Sequence, residues 1–75
     1  MNMRTIVKVW EGASDDDRKD MVARIMSQGK VAPSTVYMWM RGERKPQHLY
    51  QKLIQSTIHR VTGNSIPLSE LFPQL

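Results

Sequence analysis

The chain has 75 residues, none of them cysteine, with one phenylalanine, four glycines and four prolines. Without cysteine there can be neither a disulfide framework nor a thiolate metal site. No apolar run approaches the ~18 residues that a membrane span needs. The opening stretch, MNMRTIVKVWEGAS, is too short in its apolar part, and too broken by Lys8, to read as a signal peptide. Cytoplasmic residence is the expectation that follows. No internal repeat, low-complexity tract or linker divides the sequence. There is also no HExxH, P-loop or nucleophile elbow. His48 and His59 stand about three helical turns apart on one polar arc, too far to ligate a single ion. No enzyme activity and no cofactor is expected. The most telling scarcity is acidic. Residues 30–60 contain Glu43 as their one carboxylate, against Lys30, Arg41, Arg44, Lys45, Lys52 and Arg60.

What is present suits one small soluble domain, 40% apolar and 24% charged, with a compact core. Net charge is +4, and its distribution is uneven. Residues 1–29 are neutral, with Arg4, Lys8, Arg18, Lys19 and Arg24 balanced by Glu11, Asp15, Asp16, Asp17 and Asp20. A basic half on a small domain has the character of a polyanion-binding surface.

Hydrophobic periodicity predicts five helical segments. The first spans about Thr5 to Glu11, with Ile6, Val9 and Trp10 on one side and Gly12 as its stop, although its β-branched opening also suits a strand. The second starts at Ser14, an N-cap. Asp15, Asp16 and Asp17 follow where the helix dipole favours negative charge, so this run reads as a helix start rather than a metal site. Met21, Val22, Ile25 and Met26 form its apolar stripe, Arg18 snorkels outward, and the helix ends near Ser27 with Gly29 in the turn. The third begins with Pro33 at N1 and ends near Arg41. At about 100° per residue, Trp39 and Met40 lie close to Val36, while Ser34, Tyr37, Met38 and Arg41 point elsewhere. The fourth, about Gln47 to Thr62, carries Leu49, Tyr50, Leu53, Ile54, Thr57, Ile58 and Val61 on its apolar half, with Gly63 beyond it. A last turn or two, Pro67 to Phe72, brings Leu68, Leu71 and Phe72 over the core. Trp39 is read as core and Tyr50 as half-buried, while Trp10 stays open between core and exposed contact.

The second and third helices, joined by SQGKVA, form a helix-turn-helix candidate over about residues 15–42. Thr35, Val36, Trp39, Gly42 and Pro46 resemble the signature T-[IV]-x-x-W-x-x-G-x-x-x-P of the lambda-repressor-like, or XRE-type, helix-turn-helix domains. Val61, Thr62, Gly63, Ile66, Pro67, Leu71, Phe72 and Pro73 are similar to that family's last helix. The chain departs from the pattern at Met26 and Lys30, where the family often has Ala and Gly. It departs again at Met40, where Glu usually follows the Trp, and in its shorter first helix. These departures point to a subfamily with a lengthened second helix.

The resemblance implies an all-α, lambda-repressor-like fold of about five helices over residues 1–75. It also implies sequence-specific or semi-specific binding to double-stranded DNA by a transcriptional regulator. The third helix, about 33–41, would enter the major groove. Ser34, Tyr37, Met38 and Arg41 would face the bases, and Lys30, Thr35, Arg44 and Lys45 would contact phosphates. One such domain covers one half-site, so useful specificity requires a homodimer or a partner. The apolar C-terminal end, SIPLSELFPQL, is the best dimer surface in the sequence, but Leu68, Leu71 and Phe72 are expected to complete the core, which leaves Leu75 open. The rival reading is a helix-turn-helix scaffold used for protein interaction without DNA, with a groove lined by Met21, Met26, Met38 and Met40.

Overall fold

The computed structural model describes residues 3–73. Among them the chain forms five α-helices and no strand: α1 (Arg4–Gly12), α2 (Asp15–Gly29), α3 (Pro33–Met40), α4 (His48–Thr62) and α5 (Leu68–Leu71). No helix among the described residues is long and apolar enough to cross a membrane. Several boundaries follow local chemistry. The Ser14 hydroxyl accepts from the Asp17 N–H at 3.1 Å, satisfying one of the first-turn donors of α2, and the three aspartates fill that turn. Pro33 opens α3, where its missing N–H costs nothing. Gly63 closes α4 with φ 79°, and its N–H reaches the His59 carbonyl.

Other boundaries depart from the sequence expectation. Gly12 is not the stop of α1. It is the last helical residue, and Ala13 leaves in an extended conformation. The terminal carbonyls are taken instead by Arg18, whose Nε donates to the Trp10 carbonyl at 2.8 Å and whose second terminal nitrogen donates to that of Glu11 at 2.9 Å. Arg18 therefore does not snorkel to solvent but caps the preceding helix, where a cation also suits the dipole.

Helix α2 runs to Gly29 rather than ending near Ser27, and Lys30, not Gly29, takes the left-handed conformation at φ 53°. The cause is α4. A Cβ on Gly29 would stand 3.1 Å from Leu53 Cδ2 and 3.3 Å from Tyr50 Cε1, so the glycine serves close helix approach. The six-residue connection shrinks to Lys30, Val31 and Ala32, a length typical of a helix-turn-helix. At the other side of this contact α2 stops opposite Tyr50 and Leu53. Leu49, expected in the apolar half of α4, is left 74% exposed on the rim of a cleft with Gln28 and Gly29.

The core gathers side chains from every helix: Met3 and Ile6; Met21, Val22 and Ile25; Val36, Trp39 and Met40; Ile54 and Ile58; Leu71 and Phe72. The β-branched opening of α1 is helical because Ile6 is drawn fully into this core, and packing overrides weak propensity. Thr57 is the one buried polar residue among those described, and its hydroxyl donates to the Leu53 carbonyl at 2.7 Å. Truncating a buried Leu or Phe in such a core costs about 2–5 kcal/mol, a large share of the 5–15 kcal/mol typical of small domains.

This packing bears on two expectations about surfaces. Leu71 and Phe72 are buried and Leu68 is half-buried, so the C-terminal apolar residues complete the core rather than face a second copy. Leu75 lies outside the described residues. Met21 and Met40 are fully buried as well, so the four methionines do not line an open groove.

Candidate nucleic-acid interface

Helix α3 sits between the core and solvent with the division its wheel predicts. Val36, Trp39 and Met40 are buried, whereas Ser34, Tyr37 and Arg41 are exposed. Thr35 and Met38 are half-buried. The end of the helix explains Met38. The Glu43 N–H donates to the Met38 carbonyl at 2.9 Å and the Gly42 N–H to the Trp39 carbonyl at 3.1 Å, a Schellman closure. The Arg44 N–H also points at Met38, at 3.3 Å, so the returning loop lies against that residue.

Gly42 has φ 75°, as this closure requires, and a Cβ there would come within 2.9 Å of Val7 Cγ2. The glycine thus serves two ends at once: it turns the chain and lets α1 approach the end of α3. From that contact α1 runs beside the exposed face. Trp10, half-buried, meets Tyr37 edge-on, with centroids 5.6 Å apart and planes at 84°. Arg18 lies over the Trp10 ring at 5.5 Å, and Arg41 lies over the Tyr37 ring at 5.5 Å. Arg18, Trp10, Tyr37 and Arg41 form a continuous row from the start of α2, across α1, to the end of α3. Each contact is of a kind worth about 0.5–1.5 kcal/mol. Together they hold Tyr37 in one orientation on the exposed face.

The expected cations divide. Lys30 and Arg44 are exposed and have no ion-pair partner among the described residues. Arg41 is exposed but shared, with its guanidinium over Tyr37 and 4.0 Å from the Glu43 carboxylate. That separation is at the limit of an ion pair and weak in solvent. Lys45 is turned away, half-buried, with Nζ donating to the Pro73 carbonyl at 3.1 Å. Its role is to fasten the loop to the C-terminal segment.

Two further cations stand beside this face. Arg4 and Lys8 of α1 line a cleft of about 630 Å³ together with Glu11, Arg41 and Gly42. Their i, i+4 spacing was the available signal, but the neutral total of residues 1–29 hid it. Conversely, the run of positive charge over 30–60 does not form one patch. Arg60 lies in a different cleft, between α2 and α4.

No protein-family model matches this chain, and no curated protein or solved structure does. The functional reading therefore rests on geometry. The face around α3 offers hydroxyl groups at Ser34 and Tyr37, a guanidinium at Arg41, and cations on both sides of the helix ends. Such a surface can donate to base edges and neutralise phosphates, and it contains no arranged nucleophile and base.

Proposed function

We propose that the protein is a lambda-repressor-like DNA-binding domain that lays α3 in the major groove of duplex DNA and acts as a transcriptional regulator. One observation carries this reading. Helices α2 and α3 are joined by only Lys30, Val31 and Ala32, and α3 exposes Ser34, Tyr37 and Arg41 between Lys30 and Arg44, cations with no ion-pair partner among the described residues. The T-V-x-x-W-x-x-G signature supports it, because Gly42 and Trp39 have structural reasons to occupy their places. Base readout falls to Ser34, Tyr37 and Arg41, with Met38 at the edge. Phosphate contacts fall to Lys30, Thr35 and Arg44, with Arg4 and Lys8 on the α1 side. Lys45, held by Pro73, contributes least. A homodimer or a partner would supply the second half-site.

Anisotropy titrations of random and selected duplexes at two or more salt concentrations test the reading. Binding should fall steeply with salt, by a slope of about −0.9 per neutralised phosphate. Arg44→Ala should reduce that slope by about 1 without changing sequence preference, and Arg41→Ala should weaken binding and relax preference. No binding at low salt, or indifference to both substitutions, would overturn it and favour the protein-interaction scaffold. That rival has lost its methionine groove, since Met21 and Met40 are buried.

A further inference from the structure

A second basic site lies away from α3, where α2 and α4 run side by side. Arg24 and Gln28 of α2 face Ser56, Thr57, His59 and Arg60 of α4 across a cleft of about 760 Å³. Among the described residues no carboxylate lines it. Asp20 stands one turn away and accepts from Arg24 Nε at 2.8 Å, which fixes the plane of that guanidinium. The side chains of Gln28, His59 and Arg60 have no hydrogen-bond or ion-pair partner among the described residues.

Part of this has a simple cause. Arg60, next to His59, occupies the last turn of α4, where a cation complements the helix dipole. The dipole of α4 does not account for Arg24 and Gln28 on the opposite wall. Two guanidinium groups, an amide and an imidazole lining one cleft from two helices make a donor set for an oxyanion, since guanidinium pairs with phosphate in a two-pronged geometry. The cleft is larger than a bare phosphate requires and within the range of small-molecule sites.

We propose that the α2–α4 cleft binds the phosphate group of a small phosphorylated molecule, with Arg24 and Arg60 gripping the oxyanion and Gln28 and His59 completing its shell. None of these residues belongs to the α3 face, so the site stands whether or not the domain binds DNA.

The test is a ¹H–¹⁵N NMR titration of the full chain at constant ionic strength. Sodium chloride is exchanged for inorganic phosphate in one series and for ribose 5-phosphate in another. Saturable shifts are expected at the Gln28 side-chain amide and the Arg24 Nε–H. Arg60→Gln should weaken binding about tenfold, the loss of one charge-assisted contact, and Gln28→Ala should weaken it less. Lys52→Gln, outside the cleft, should leave it unchanged. Tighter binding of the sugar phosphate than of inorganic phosphate identifies a phosphorylated metabolite as the ligand class, and equal binding or the reverse overturns that assignment. Shifts that grow linearly without saturation, or equal losses in Arg60→Gln and Lys52→Gln, overturn the site itself. A short duplex that moves the cleft signals as strongly as those of α3 would make the cleft part of a nucleic-acid surface and also overturn the proposal.

Discussion

Helices α2 and α4 meet along an apolar seam, whereas α1 meets α3 at a few points. In the first seam Met21, Val22 and Ile25 share the core with Ile54 and Ile58, and Gly29 leaves room for the Leu53 and Tyr50 side chains at one end. In the second, Val7 and Met3 touch the end of α3 at Gly42, and Trp10 touches it at Tyr37. The first seam removes apolar surface from water and so carries much of the folding free energy. The second is built of half-exposed rings and cations, and it orients the face proposed to meet DNA. Stability and presentation are thus assigned to different joints, and one can be damaged with the other intact.

Four substitutions would break or sharpen that contrast. The largest effect is expected at Gly42. An alanine there must adopt a left-handed backbone and press on Val7, costing about 2–4 kcal/mol together, read as a shifted denaturation midpoint. A loss below about 1 kcal/mol would mean that α1 is free to swing away from α3. Trp10→Ala comes next, at about 2 kcal/mol, roughly half the cost of a fully buried tryptophan. It should also move the Tyr37 ring resonances, which a purely structural role elsewhere would not. Arg18→Ala removes both side-chain donors from the end of α1 and should cost about 1 kcal/mol, visible as faster amide exchange in that helix. Gly29→Ala should stay within about 0.5 kcal/mol of the parent, because helix propensity gains what the push on Leu53 Cδ2 loses. A loss above about 2 kcal/mol would show the apolar seam to be as unforgiving as the glycine end of α3.

What could be read from the sequence is what depends on a few neighbouring residues. Ser14 as a cap, Pro33 as a helix start, Gly63 as a stop and the inward set Val36, Trp39 and Met40 all follow from local backbone chemistry and one helical period. The errors share a different origin. Gly29 suits a turn because glycine permits positive φ, yet the fold needs its missing side chain for Leu53 and Tyr50 and leaves the strained backbone to Lys30. Arg18, expected to snorkel, and Lys45, expected on a phosphate, each donate instead to backbone carbonyls of another segment. Leu49 followed the wheel but lies where α2 has already ended. The candidate face was legible in part for the same reason. Ser34, Tyr37 and Arg41 depend on α3 alone, whereas recruiting Arg4 and Lys8 required knowing that α1 packs against its end.

The two tryptophans fall one on each side of this division. Trp39 is buried beside Tyr50, with ring centroids 5.0 Å apart, while Trp10 is half-buried between Arg18 and Tyr37. The protein therefore carries its own pair of optical reporters. Trp39 should emit to the blue and resist an aqueous quencher; Trp10 should emit to the red and be quenched readily. In a Trp39→Phe variant the remaining fluorescence would register an event at the α3 face through Tyr37, and would stay silent to an anion entering between α2 and α4.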